Sequence, residues 1–128
     1  MKPELMYLAW AVALTVAQML VAATGSASQV GPMPLFGNRD NMPVWTGWAG
    51  RAQRAHHNML ENLVLFTALV LIAVVAQKTN DKTLLGAQIF FWARLAYAVI
   101  YLAGITYLRT LAWLISIIGL VMIFLQIL

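Results

Sequence analysis

The feature that most constrains the fold is a set of four long apolar segments, which occupy most of the 128 residues. They cover residues 5–25, 46–77, 83–106 and 111–128. A helix of about 20 apolar residues crosses a bilayer core of about 30 Å, and each segment is long enough to do so. Only 9% of the residues are charged, whereas soluble domains carry about 25%. The sequence therefore predicts an integral membrane protein with a single domain over 1–128.

The connections between these segments predict how the helices are arranged. Residues 26–45 are rich in Gly, Pro and Asn, which is typical of an irregular loop. Residues 78–83 form a short polar turn, and the last connection, 107–110, is very short. Short connections place successive helices side by side and antiparallel. The expected fold is an all-α membrane protein, an up-down bundle of four transmembrane helices.

The first segment resembles a secretory signal but exceeds the usual apolar length of about 7 to 15 residues, so we expect it to remain as a span.

Composition excludes several kinds of site. The chain has no cysteine, which rules out disulfides, thiolate metal sites and a cysteine nucleophile. His56 and His57 are adjacent, so they cannot face one ion from a helix, and no third ligand is suitably spaced; we expect no metal site. The net charge of +4 comes from scattered residues, which is ordinary for a membrane protein and predicts no nucleic-acid partner.

The second segment begins with a polar stretch, RAQRAHHNMLEN, at residues 51–62. The apolar run that follows, LVLFTALVLIAVVA, has only 14 residues and reaches about 21 Å as a helix at 1.5 Å per residue. That is shorter than the bilayer core, so part of the polar stretch must lie in or against the membrane. Polar and charged residues there usually face a partner, a cavity or a ligand.

A helical wheel at 100° per residue brings most of these polar side chains to one face. His56 points to the opposite side. Two interpretations remain open: internal ion pairs that seal the bundle, or a pocket for a charged ligand. The residues that share the polar face are Arg51, Arg54, His57, Asn58, Glu61 and Asn62.

The third segment favours the ligand pocket. Tyr97 and Tyr101 lie within about 60° of Arg94 on its wheel. An arginine keeps its proton, so at membrane depth it needs a carboxylate or a ligand anion. Glu61 is the internal candidate for that partner. The arginines in or beside the spans outnumber this carboxylate, which predicts a polyanionic ligand; they are Arg51, Arg54, Arg94 and Arg109.

Three further features of the sequence have expected roles: an arginine near the last connection, the tryptophans, and two glycines within or at the end of the third segment. Arg109, next to Thr110 in the last connection, is either an arginine that reaches to the membrane surface or a catalytic donor. The five tryptophans, Trp113 among them, are expected to be interface anchors or packing residues. Gly86 and Gly104 are candidates for close helix approach.

Two motifs carry a resemblance to a known family. Residues 54–62, RAHHNMLEN, resemble the R-A-H-x-N-x-x-E-N signature of the MAPEG proteins, the membrane-associated proteins in eicosanoid and glutathione metabolism. The pattern Ala93-Arg94-x-x-Tyr97-x-x-x-Tyr101, followed by Arg109-Thr110, is similar to a second block of that family. The resemblance extends over nearly the whole chain and is to the bacterial-type members that resemble microsomal glutathione transferases.

The resemblance implies an assembly and a set of roles. The protein is expected to be a homotrimer that binds glutathione between subunits. Arg54, Asn58 and Glu61 are expected to bind the peptide backbone and termini of glutathione, because arginines pair with carboxylates and a glutamate pairs with an ammonium. The other expected contributors to glutathione binding are Arg51, His57, Arg94, Tyr97 and Tyr101. Arg109 is expected to stabilise the thiolate, which is the nucleophile, with Thr110 as a hydroxyl donor.

Three functions follow as alternatives. The first is a glutathione-dependent transferase or peroxidase that detoxifies hydrophobic electrophiles from the bilayer, expected in a bacterial inner (cell) membrane. The second is a non-catalytic protein that binds lipid or glutathione, since the first helix has Gln18 where several catalytic relatives have an arginine, and some members bind lipid without catalysis. The third is a small multidrug or proton-coupled transporter that titrates Glu61. Four arginines against that one carboxylate argue against the third.

Overall fold

The computed structural model describes residues 1–128 and is entirely helical. Four of its five helices are long and apolar enough to cross a membrane. The predicted all-α fold with four spans is therefore confirmed. The helices are α1 (Pro3–Val30), α2 (Pro32–Leu35), α3 (Gly47–Val75), α4 (Asp81–Ala103) and α5 (Thr106–Ile127).

The two middle spans, α3 and α4, form the centre of the bundle. Helix α1 packs against α3 and α4 on one side, and α5 packs against the same two helices on the other. Helices α1 and α5 do not contact each other. Because successive spans are antiparallel, the C-terminal ends of α1 and α4 and the N-terminal ends of α3 and α5 lie at one end of the bundle, together with the connection 36–46. We call this the connection end.

The structure corrects the predicted boundaries of two connections. Helix α1 continues through 26–30, which the sequence placed in a loop, and ends at Gly31, where φ is 79°. The last turn lies at Gly104 and Ile105 rather than at 107–110, so Arg109 is in the first turns of α5. Gly104 has a φ of 83°, a left-handed conformation that glycine adopts without steric cost. It ends α4 and does not serve as a site of close helix approach.

The polar turn before α4 is built to start a helix. The Asn80 side chain accepts hydrogen bonds from the backbone N–H groups of Lys82 and Thr83, at 2.9 and 3.0 Å. The Thr83 hydroxyl oxygen in turn accepts from the Asn80 N–H at 2.8 Å. This reciprocal arrangement is a capping box, which satisfies amides that the first turn of a helix leaves free.

Helices α4 and α5 approach each other closely at a pair of glycines. A Cβ atom added to Gly119 would lie 2.6 Å from the carbonyl oxygen of Gly86 and 2.9 Å from the amide nitrogen of Phe90. Both neighbours are backbone atoms, so neither can move aside without shifting α4. Gly86 therefore has the role that the sequence predicted for it, and Gly119 is its partner.

The first prediction concerns this crossing. Gly119→Ala should lower the free energy of unfolding by about 1 to 3 kcal/mol, because an added methyl group in a tightly packed contact forces backbone shifts. Thermal unfolding in mild detergent measures the change. Gly37→Ala is the matched control, since a Cβ there would meet only the Pro34 carbonyl oxygen at 3.6 Å. Equal melting temperatures for the two variants would contradict the prediction.

Candidate functional site

The connection end of the bundle gathers two arginines around one tyrosine. Arg54 of α3 donates a hydrogen bond from Nε to the hydroxyl oxygen of Tyr101 at 3.1 Å. The guanidinium carbon of Arg109, from α5, lies 4.5 Å from the centre of the same tyrosine ring. Arginine stacks on aromatic rings through its planar, weakly hydrated cation. Tyr101 thus connects the three helices α3, α4 and α5 through side chains that the sequence assigned to one site.

A second cation lies deeper along α4. Arg94 is 1% exposed, and it is about 14 Å from Ala103 along the helix at 1.5 Å per residue. Its guanidinium carbon is 4.1 Å from the centre of the Tyr97 ring. The Tyr97 ring in turn meets the Tyr101 ring edge-on, with ring centres 5.5 Å apart. The four side chains Arg94, Tyr97, Tyr101 and Arg109 form a continuous stack that we call the arginine–tyrosine stack.

The candidate ion pair between Arg94 and Glu61 does not form. None of the three guanidinium nitrogens of Arg94 has a hydrogen-bond partner, and Glu61 is exposed. Met59 faces the core, and Glu61 lies about 200° from Met59 at 100° per residue, so its carboxylate is on the outer side of α3. An unpaired cation therefore remains buried in the bundle.

Asn58 and Arg109 border a small cavity beside the stack. Its volume is about 170 Å³. The wall combines an amide, a phenol, a guanidinium and a hydroxyl, which together can donate hydrogen bonds to an anion. Asn58 also has its side-chain oxygen engaged by the Asn62 amide nitrogen at 3.2 Å, which holds it in place. The lining residues are Asn58, Tyr97, Arg109, Thr110 and Trp113.

Trp113 is a wall residue that the sequence did not assign to the site. It follows Arg109 by four positions, and on a helix residues i and i+4 are neighbours on one face. The sequence analysis missed this spacing because it placed Arg109 in a turn rather than in a helix. An indole beside the polar groups supplies a flat apolar surface with one N–H donor.

Two predicted site residues lie apart from this cavity within the chain. Arg51 donates a hydrogen bond from Nε to the Leu102 carbonyl oxygen at 3.1 Å. It thereby satisfies a carbonyl at the C-terminal end of α4, where cations are favourable. His57 is exposed and makes a hydrogen bond with Gln53 through its Nε2 at 3.2 Å. Their roles toward a ligand stay predictions.

Comparison with known families agrees with the two sequence motifs. The family model described as the MAPEG family matches residues 5–128, nearly the whole chain. No curated protein and no solved structure matches the chain.

Proposed function

Because the chain belongs to the MAPEG family, we propose that it is a glutathione-dependent transferase or peroxidase that acts on hydrophobic electrophiles from the bilayer. Family membership indicates a glutathione-related function in a membrane protein with several spans. The observation that carries the more specific proposal is the arginine–tyrosine stack with its excess of unpaired cation. Arg94 has no partner for its guanidinium nitrogens, and a ligand with two carboxylates supplies the missing negative charge.

Glutathione matches the charges around the cavity. It carries two carboxylates, one ammonium and one thiol. Arg54 and Asn58 are suited to its carboxylates and peptide groups, because charge-assisted hydrogen bonds to arginine are stronger than neutral ones. Glu61 is exposed, so its carboxylate can accept hydrogen bonds from the ammonium of glutathione. We propose that a neighbouring copy of the chain completes this site in a homotrimer, with glutathione between the subunits.

Arg109 is the residue that we assign to the sulfur. It lines the cavity, and it is held over the Tyr101 ring. A guanidinium beside a thiol favours the thiolate, which is the nucleophilic form. The Thr110 hydroxyl lines the same cavity and can donate a hydrogen bond to that sulfur.

The chemistry then follows from the thiolate. In conjugation the thiol proton goes to water, the sulfur forms a bond to the electrophilic carbon, and the leaving group departs with its electron pair. In peroxide reduction the thiolate attacks the terminal oxygen, the O–O bond breaks to give a sulfenic acid, and the alkoxide leaves and takes a proton from water as the alcohol. A second glutathione then converts the sulfenic acid to the disulfide and water. Both reactions need the same stabilised thiolate, so one site serves either.

The alternative, a protein that binds lipid or glutathione without turnover, has one observation in its favour. Gln18 is buried and its side-chain oxygen has no hydrogen-bond partner. It lies in an almost wholly apolar groove of about 180 Å³ between α1, α3 and α4. Such a groove suits the acyl chain of a lipid that also carries a hydrogen-bond donor for the Gln18 oxygen.

One experiment separates the two functions. Purified protein is mixed with glutathione and a chlorinated nitroaromatic acceptor, and conjugate formation is followed together with glutathione binding by calorimetry. We expect saturable binding and a conjugation rate that depends on both substrates. The variant Lys82→Gln, at the far end of the bundle, is the control for general charge effects. Saturable binding without any turnover, for the nitroaromatic and for a lipid hydroperoxide alike, would favour the non-catalytic alternative.

A further inference from the structure

A second, larger cavity lies at the connection end, on the other side of α3 from the arginine–tyrosine stack. Its volume is about 640 Å³, which is in the range of small-molecule sites. It lies between the last turns of α1, the connection 36–46 and the first turns of α3. No residue of its wall belongs to the cavity beside Arg109. Of the residues predicted to bind glutathione, His57 alone lines this second cavity. The roles proposed for Arg54, Asn58, Glu61 and Arg109 therefore do not account for it.

The wall of this cavity divides into an apolar part and a polar part. Helix α1 contributes Met19 and Leu20, whereas α3 contributes Gln53 and His56, and the connection contributes Arg39. Met19 is 46% and Leu20 59% exposed, so this part of the wall can contact lipid in a membrane. A ligand that satisfies both parts has an apolar tail and a polar head.

The polar part is positively charged and partly fixed in place. Arg39 donates a hydrogen bond from Nε to the Leu35 carbonyl oxygen at 2.7 Å, which leaves its two terminal NH2 groups as free donors. Its backbone has a φ of 62°, an uncommon conformation for a residue with a side chain. The neighbouring carboxylate, Asp40, is exposed and does not line the cavity. The one charged side chain that lines the cavity from the connection is thus a cation.

His56 adds a second unused polar group. Its Nδ1 atom is buried and has no hydrogen-bond partner. The neighbouring His57 is engaged by Gln53 through its Nε2. A buried polar atom without a partner costs free energy, and a ligand atom that pairs with it recovers that cost. The wheel placed His56 away from the predicted glutathione site.

The connection also has the composition of a segment at the membrane surface. Phe36 and Val44 expose large apolar side chains, as does Met33 of the preceding helix α2, and Trp45 lines the cavity. Tryptophan is enriched at the level of the lipid headgroups. The cavity therefore opens where a headgroup and the first carbons of an acyl chain lie.

We propose that this cavity binds an anionic lipid. The phosphate of the headgroup accepts hydrogen bonds from Arg39 and His56, and an acyl chain lies along Met19 and Leu20. Arginine suits a phosphate because its planar group donates two parallel hydrogen bonds. The lipid would link α1, the connection and α3, next to the existing hydrogen bond from the Gln29 side chain to the Thr46 carbonyl oxygen at 2.8 Å.

Thermal unfolding in mild detergent tests this proposal without glutathione, so the result does not depend on the proposed catalysis. The protein is titrated with phosphatidylglycerol or with phosphatidylcholine, since a ligand that binds the folded state raises the melting temperature. We expect the melting temperature to rise with phosphatidylglycerol and to reach a plateau. The affinity for phosphatidylcholine, measured in the same way, should be at least about fivefold weaker. Arg39→Gln should weaken the affinity for phosphatidylglycerol about tenfold, and His56→Gln should weaken it by a smaller factor.

Two controls decide what the result means. Lys82→Gln removes a cation from the far end of the bundle and should leave the affinity unchanged. Arg39→Lys keeps the charge and should restore most of the affinity, so the proposal remains testable if Arg39→Gln does not fold. Equal affinity for the two lipids would overturn the proposal, as would an equal loss in Arg39→Gln and Lys82→Gln. Displacement of the lipid by millimolar inorganic phosphate would show a site for a soluble anion and would also overturn it.

Discussion

Replacement of Arg109 by alanine is expected to lower the rate of glutathione conjugation about 100-fold or more, while glutathione affinity changes by less than about fivefold. The guanidinium lies at the cavity wall over the Tyr101 ring, where it can stabilise the developing negative charge on sulfur. Removal of one such fixed electrostatic donor typically costs a factor of about 100 to 1,000 in rate. The carboxylates of glutathione remain bound through other residues, so binding survives.

Two measurements identify the cause of that loss. The ultraviolet absorbance of the bound thiolate should disappear in Arg109→Ala and persist in part in Arg109→Lys, which keeps the positive charge. Thr110→Val removes only a neutral hydroxyl and should lower the rate about two- to tenfold, since one such hydrogen bond contributes about 0.5 to 1.5 kcal/mol. A conjugation rate that Arg109→Ala leaves unchanged would refute the role of this arginine.

The variant Arg94→Met is expected to have opposite effects on stability and on binding. Arg94 is 1% exposed and its guanidinium nitrogens have no hydrogen-bond partner. An unpaired buried charge is costly, and apolar side chains of similar volume often stabilise a protein when they replace buried ions. The stacking contact with Tyr97 offsets part of that cost. The ligand-free variant should therefore be more stable than the wild type by about 1 kcal/mol or more.

Glutathione affinity should fall about tenfold in the same variant. The buried cation lies against the Tyr97 ring, which lines the cavity, and its field acts on the ligand through a medium of low dielectric constant. Thermal unfolding with and without glutathione measures both effects in one experiment. Lys82→Met removes a cation at the far end of the bundle and serves as the control. A lower melting temperature for ligand-free Arg94→Met would mean that the guanidinium has a stabilising partner in the folded protein.

The prediction of this site from the sequence succeeded where it depended on the periodicity of single helices. The wheel for α3 put Arg54 and Asn58 on one face, and both lie at the connection end near Tyr101 or the cavity. The wheel for α4 grouped Arg94 with the two tyrosines, which form the arginine–tyrosine stack. The wheel for α3 also put Glu61 on the polar face, but a wheel cannot state whether side chains of two helices meet, and Glu61 does not pair with Arg94.

The sequence by itself determined the class of the protein, its four spans and the polar side chains that share a helix face, because apolar length and a repeat of 3.6 residues are local properties of the chain. Only the tertiary structure decided which faces meet. It placed Arg109 in α5 over Tyr101, left Arg94 without a carboxylate, brought Trp113 into the cavity wall and enclosed a second cavity beside His56. These contacts depend on how each helix is rotated and where each turn ends, and packing between distant segments sets both.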